Sequence, residues 1–218
     1  MSKLKRIAKK EEIIKEFDYQ IEYKKQLKEN ILNVRKQINN HDFVIKIKNH
    51  AEKYNREVEE VKLKIMEDDM FAEIFAKDPT KQNIYENLAA KYIKNLPIVK
   101  EFRKLPNNSK MFVVNGEIST KRENDVKSID FTFKVKNKTI YASHKYIKAF
   151  GGAQDNQYND IRTFLRNCNK LNQGDIYFIA ICDGPYFETK IKNLIEEFGS
   201  NNVAILNIYE LENFLNSL

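Results

Sequence analysis

The sequence is poor in residues that interrupt helices and in residues that form cross-links. Its 218 residues include six glycines, four prolines, two cysteines and no tryptophan. Scarce glycine and proline favour long helices with short connections. Cys168 and Cys182 each lack a neighbouring cysteine, which argues against a zinc site and indicates two buried, reduced thiols.

Long apolar segments are also missing. No apolar run reaches the length of about 18 residues that a membrane-spanning helix needs. No apolar stretch follows the basic first residues either, so we expect a soluble, cytoplasmic protein without a secretory signal. The formal net charge of +7 mildly favours a polyanionic partner. AT-rich coding would enrich lysine and asparagine in the same way, so charge alone does not predict nucleic-acid binding.

The first third of the chain has a helical pattern. Hydrophobic residues recur at helical spacing over residues 5–75, with a break at Asn39-Asn40. Paired charges along this stretch suit a solvated helix face. We therefore expect a helical region at 1–76 that serves dimerisation, DNA binding or both, followed by a second domain at 77–218.

The second domain is expected to open with a helix. Asp78 is a good N-cap and Pro79 fits a first helical position. The helix is predicted at 82–94, and a short helical piece is expected to continue to residue 104.

From residue 111 onward the hydrophobic period changes to two, which is typical of strands. The element order from residue 79 is then α-β-β-β-α-β-α-β-α. Strands are predicted at 111–115, 127–135, 139–146, 175–182 and 203–208, with helices at 153–169, 188–198 and 209–215.

Two of these strands form a hairpin that gathers reactive side chains. If the chain turns at Asn137-Lys138, Asp130 lies directly opposite Lys145. Because side chains alternate along a strand, one face then carries Asp130, Thr132, Ser143 and Lys145. His144 falls on the opposite, apolar face, where we interpret it as a packed histidine.

An acid beside a lysine suits phosphodiester hydrolysis. That reaction needs a hard cation, which binds the phosphate and lowers the pKa of the attacking water. Asp130 supplies one cation ligand, and Lys145 offsets the charge that develops on the phosphate. An ordinary cross-strand salt bridge is the alternative interpretation of the same pair.

Residues 79–208 resemble the PD-(D/E)xK nuclease superfamily, and within it type II restriction endonucleases. The segment 127–130 stands at the place of the P-D motif, and 143–145 at the place of (D/E)-x-K. The resemblance implies an α/β (α+β) fold with a mixed central sheet and an αβββαβ core. It also implies a Mg²⁺-dependent, sequence-specific endonuclease for double-stranded DNA that acts as a homodimer, with a cognate DNA methyltransferase encoded nearby. Asp130, Ser143 and Lys145 would be its catalytic residues.

The sequence departs from the motif at Ser143, where the family has an acid. A subgroup with S-x-K similarly takes the missing acid from the following helix, where Asp160 and, less favoured, Asp155 are the candidates. Glu86 on the preceding helix and Glu117 after Asn115-Gly116 are two further candidate metal ligands. Each of these acids is otherwise an ordinary surface or helix-terminal residue.

Several polar residues are candidates for contact with DNA. Basic side chains can bind phosphate, and glutamine or asparagine can pair with adenine in the major groove. The candidates are Lys121, Arg122, Lys148, Gln154, Asn156, Gln157 and Arg162. Two other functions stay open: a structure-specific or repair nuclease on the same core, and a non-catalytic DNA-binding protein with a degenerate site.

Overall fold

The computed structural model describes residues 18–106, 111–121, 126–148, 152–168 and 174–218, with only the backbone of 152–154. The described chain forms two compact units, Asp18–Ile84 and Tyr85–Leu218. In these ranges no helix is long and apolar enough to cross a membrane.

The unit Asp18–Ile84 is helical, as its periodicity predicts. The predicted break at Asn39-Asn40 is confirmed, since Asn40 caps the second helix through a 3.0 Å bond from the Asp42 N–H. A further break after the second helix was not predicted. The helices are α1 (Tyr19–Lys36), α2 (His41–Lys53), α3 (Val58–Glu67) and α4 (Asp69–Glu73).

The helices of this unit enclose a small apolar core. Ile47, Ile65 and Ala72 have no exposed surface. Beside them the His50 ring packs against Phe71 and Phe75, with ring centroids 5.7 and 4.9 Å away. Such burial of one face of each helix supplies most of the stability of short helices.

The predicted cap at Asp78 is confirmed, but the helix that it starts is brief. The Thr80 N–H donates to Asp78 Oδ1 at 2.9 Å, and a 3₁₀ turn occupies Pro79–Gln82. Asn83 then takes a left-handed conformation, with φ of 55°. The α-helix α5 begins only after it, at Ile84–Asn95.

The unit Tyr85–Leu218 is built on a five-stranded mixed sheet, which agrees with the expected α+β class. The strand order is β1-β4-β5-β6-β7; β1, β4 and β5 pair antiparallel, while β5, β6 and β7 pair parallel. The strands are β1 (Val99–Lys104), β2 (Phe112–Val114), β3 (Glu117–Ser119), β4 (Phe131–Val135), β5 (Lys138–Tyr146), β6 (Ile176–Asp183) and β7 (Val203–Leu206). The later helices are α6 (Gly152–Cys168), α7 (Pro185–Phe198) and α8 (Ile208–Ser217).

Two expectations about the first strands were wrong. Residues 99–104 were expected to be helical, but they form β1 at the edge of the sheet, paired with β4. The strand expected at 111–115 pairs instead with β3, in a separate hairpin whose turn is Asn115-Gly116. Tertiary pairing thus overrides the charged, helix-like composition of β1.

Helices α6 and α7 cover one face of the sheet. Ile161, Phe164 and Leu165 of α6 share an apolar cluster with Phe178 of β6 and Leu194 of α7. All five are at most 1% exposed. This packing holds α6 against the face of the sheet that carries Ser143 and Lys145.

Candidate active site on strands β4 and β5

The hairpin that carries the motif turns one residue earlier than predicted. Its loop is Lys136-Asn137, with Lys136 at φ of 53°, and Val135 pairs with Lys138. The register therefore shifts by two residues: Phe131 pairs with Ala142, and Asp130, just before it, bonds to the hydroxyl of Ser143 instead of facing Lys145. A shift of two keeps the alternation of side chains, so Asp130, Ser143 and Lys145 still share one face.

Asp130 is held by bonds on both sides. Its Oδ2 accepts from the Ser143 hydroxyl at 3.0 Å and from the His144 N–H at 2.8 Å. Its own N–H donates to the Ala142 carbonyl at 3.0 Å, and its carbonyl accepts from the Leu105 N–H at 2.8 Å. The first two bonds orient the carboxylate through Oδ2, the other two fix the backbone of Asp130, and Oδ1 remains as the oxygen that can serve another ligand.

Burial and two neighbouring charges set the electrostatics of Asp130. The residue keeps some accessible surface, yet burial is the largest influence and raises the pKa of its carboxyl above the ordinary value. The Lys145 ammonium group lowers that pKa, and the Glu86 carboxylate raises it. Lys145 and Glu86 are thus the charged side chains that act most on the pKa of Asp130.

Glu86 reaches this site from α5. Its Oε1 is buried and accepts no hydrogen bond from the residues that the structure describes. Lys104 Nζ lies 2.9 Å from that oxygen and also bonds to Asn87 Oδ1. The charge of this buried oxygen is thus balanced by a lysine; a metal ion is the other common way in which a buried carboxylate is balanced.

A pair of stacked tyrosines joins α5 to β5 beside the site. The rings of Tyr85 and Tyr146 stack with centroids 4.0 Å apart and an angle of 24° between their planes. Each tyrosine is next in sequence to a charged residue of the site, Glu86 in one case and Lys145 in the other. The stack therefore helps to set the distance between these two side chains.

His144 lies on the other face of the sheet, which confirms the interpretation of a packed histidine. Its Nε2 lies 3.0 Å from Asp183 Oδ2, and the two side chains are only 2% and 3% exposed. The other oxygen of Asp183 accepts from the Ile208 N–H at 2.9 Å, at the start of α8. His144 thus bonds to Asp130 through its backbone N–H and to the buried Asp183 through its ring.

The other candidate acids have partners of their own. Asp160 Oδ1 pairs with Lys127 Nζ at 2.7 Å, and Asp155 Oδ1 accepts from the Tyr186 hydroxyl at 3.0 Å. Glu117 is exposed at the start of β3, beside a turn whose Asn115 N–H donates to Asn167 Oδ1 at 3.4 Å. The charges that act on Asp130 come instead from Lys145 and Glu86.

The carboxylates at the site suit one kind of metal ion. Within the described ranges, no group of three or more histidine, cysteine, aspartate or glutamate residues could hold a metal. Asp130 and Glu86 provide two carboxylates, and hard oxygen ligands suit Mg²⁺. Mg²⁺ is often bound by one or two carboxylates together with waters and substrate phosphates. Two carboxylates such as these would hold Mg²⁺ only together with waters or a substrate phosphate.

The candidate DNA contacts differ in how available they are. Lys121, Lys148, Asn156 and Gln157 are exposed. Arg162 is half-buried, pairs with Glu197 of α7 and lies over the ring of Phe198. Arg122 and the side chain of Gln154 lie outside the described residues.

Two charged residues near the motif strands were not identified from sequence. Lys104 was assigned to a helical piece, and only the recognition of β1 as a strand would have placed it beside Asp130. Asp183 was assigned to a turn. An acid that ends the apolar run 176–182 was a signal for it, because a buried carboxylate needs a partner.

Comparison of the chain with protein-family models, with curated proteins and with solved structures finds no match. Functional inference consequently depends on the side chains of this site.

Proposed function

We propose that this protein is a Mg²⁺-dependent endonuclease of the PD-(D/E)xK type that cuts double-stranded DNA at specific sequences. The observation that carries the proposal is the grouping of Asp130, Lys145 and Glu86. Asp130 is held by bonds from Ser143 and His144 while it interacts electrostatically with the other two charges.

The order of elements around the site supports the proposal. The helix α5, the antiparallel strands β1, β4 and β5, the helix α6 and the parallel strand β6 follow one another in that order. The β2–β3 hairpin is an addition between the first two of these strands. This αβββαβ order is the one that the resemblance to PD-(D/E)xK nucleases implies.

Each residue has a distinct role in the proposed reaction. Asp130 and Glu86 would hold Mg²⁺, which when bound supplies Lewis acidity and a bound water of lowered pKa. Lys145 stabilises the negative charge that grows on the phosphate. Ser143, which is 3% exposed, orients Asp130 through its hydroxyl and does not act as a ligand.

The proposed substrate and assembly follow from the reaction. The net charge of +7 and the exposed Lys121 and Lys148 would favour approach to the phosphate backbone. A homodimer would place two such sites on the two strands of a palindromic sequence. A restriction enzyme of this kind needs a partner DNA methyltransferase that protects the host DNA.

One observation favours a second candidate function. Ser143 stands where the family has an acid, and the described residues offer no cluster of three metal-binding groups. A DNA-binding protein with a degenerate site would have the same features. A structure-specific or repair nuclease on the same core would differ only in the DNA that it cuts.

Cleavage assays on several DNA substrates test the proposal. The protein is incubated with plasmid, with phage DNA and with branched and single-stranded substrates, in Mg²⁺ or in EDTA. Discrete Mg²⁺-dependent fragments of duplex DNA are expected. Cutting of branched or single-stranded DNA alone would favour the structure-specific nuclease, and binding without cutting would favour the non-catalytic protein.

Substitutions then test the assignment of the site. Lys145→Met and Asp130→Asn should lower the cleavage rate by about 10²-fold or more without loss of DNA binding. Lys134→Met is the matched control, because Lys134 is exposed on β4 and pairs with Glu101 at 2.8 Å. Cleavage that survives both site substitutions would exclude this site.

A further inference from the structure

Lys104 is a second cation at the site, and the proposed reaction does not use it. Its Nζ lies 2.9 Å from Glu86 Oε1 and bonds to Asn87 Oδ1. Lys104 is the last residue of β1, and the next residue, Leu105, donates its N–H to the Asp130 carbonyl. The ammonium group is therefore held at Glu86, and the backbone that follows it is bonded to the backbone of Asp130.

The position of this ammonium group interferes with a metal ion. A lysine cation already neutralises Glu86, and Lys145 acts on Asp130. The two carboxylates are thus balanced by two ammonium groups, which leaves little net attraction for a divalent cation. The side chains of Lys104 and Glu86 are 30% and 20% exposed, so the lysine head can leave without unfolding the strand.

A phosphodiester would remove this obstacle. The oxygen anions of a phosphate attract an ammonium group, and Lys104 has the long flexible stem that lets lysine follow a point charge. Movement of Nζ from Glu86 to phosphate would expose a carboxylate oxygen and add a new anionic ligand. Both changes favour a divalent cation.

On the basis of the proposed function, we propose that Lys104 occupies the cation position on Glu86 until DNA arrives. An incoming phosphate then draws Lys104 away, so that the divalent cation binds fully only in the presence of DNA. The ligand that draws Lys104 away is a nucleic-acid phosphodiester. Because the coupling is reciprocal, DNA raises the affinity for the metal by the same factor as the metal raises the affinity for DNA.

Metal binding without DNA tests the first half of the proposal. Mn²⁺ is titrated into the full chain, and free Mn²⁺ is measured by electron paramagnetic resonance. Lys104→Met should bind Mn²⁺ about tenfold more tightly than the wild type, because a unit charge about 4 Å from a divalent ion repels it even in water. The matched control is Lys134→Met, which breaks the 2.8 Å ion pair between Lys134 of β4 and Glu101 of β1. This control should leave Mn²⁺ affinity unchanged.

A double substitution keeps this test specific. In a Glu86→Gln background, Lys104→Met should increase Mn²⁺ affinity less than in the wild type, since the carboxylate that it would release is gone. Equal Mn²⁺ affinity of Lys104→Met and the wild type, or undetectable binding to both, would overturn the proposal. Circular dichroism melts of each variant establish that the comparison is made on folded protein.

DNA binding in EDTA tests the second half. If Lys104 contacts phosphate, Lys104→Met should reduce the slope of log affinity against log salt by about one. An unchanged slope, or an equal reduction in Lys134→Met, would reject the transfer of Lys104 to phosphate. If Mn²⁺ affinity and salt slope change as expected but no DNA is cut, the nuclease proposal fails while the role of Lys104 stands.

Discussion

Replacing Asp130 by asparagine should stabilise the protein at neutral pH while it abolishes cleavage. Asparagine has nearly the same shape as aspartate, and its one oxygen can accept the two bonds that now reach Oδ2 from Ser143 and His144. The substitution therefore removes mainly a negative charge. Whether that removal raises or lowers stability depends on whether the cost of burying the charge or its attraction to Lys145 is larger.

The shifted pKa of Asp130 gives the sign. Burial raises the pKa of this carboxyl, and the attraction of Lys145 only partly offsets it. A group whose pKa is raised on folding contributes stability below its unfolded value, here 3.8, and loses it as pH rises through the folded value. At neutral pH the ionised Asp130 is consequently a net cost to the folded state.

The size of the gain follows from typical stability–activity trade-offs. A functional residue can carry a charge that lowers stability, and its replacement by a neutral residue commonly raises the free energy of unfolding by about 1 kcal/mol. For a chain of this length that is about 2–4 °C in melting temperature. The gain should shrink as pH falls toward 4, because Asp130 then takes up a proton and carries less charge.

Thermal melts in EDTA, followed by circular dichroism at pH 7.5 and at pH 4, check this expectation. Asp160→Asn is the matched control, since Asp160 is a partly exposed acid paired with Lys127 at 2.7 Å and its loss should give no gain. A lower melting temperature for Asp130→Asn at pH 7.5 would refute the reasoning. An equal gain in Asp160→Asn would show a general charge effect instead.

Three further substitutions probe the frame around the site and the helical unit. Asp183→Ala removes the buried acceptor beside His144 and should cost about 3 kcal/mol in urea unfolding; a loss below 0.5 kcal/mol, on the order of a surface change, would contradict this. Gly184→Ala should lower stability by about 2 kcal/mol, because φ is +95° and the new Cβ would lie 2.3 Å from the Ile147 carbonyl oxygen; an unchanged melt would reject that clash. Ile65→Ala, at a position with no exposed surface, should destabilise the helical unit by about 2–5 kcal/mol in urea, and a cost near zero would count against its packed core.

Local patterns predicted the motif face well. The alternation of side chains placed Asp130, Ser143 and Lys145 on one face, and that grouping survives although the hairpin register was wrong. The error came from the turn, where Lys136 takes a positive φ that favours asparagine or glycine more than lysine. A shift by one residue would have separated these side chains, whereas a shift by two does not.

Contacts between distant parts of the chain were beyond the reach of local patterns. The strand β1 was assigned as helix because its charged residues carry no strand period, and only its pairing with β4 makes it a strand. The partners of Asp160 and Asp155 are Lys127 and Tyr186, which lie 33 and 31 residues away in sequence. Such partners depend on how the helices pack on the sheet.

The edge position of β1 has a consequence for association in solution. An unpaired strand edge offers free backbone groups to another chain and is a common origin of aggregation. Here the register with β4 is interrupted between Lys100 and Arg103, and Glu101 takes a φ of 51°. This kink and the exposed charges make edge-to-edge addition of a further strand unfavourable. The strand that anchors Lys104 beside the site thereby also protects this border of the sheet from unwanted polymerisation.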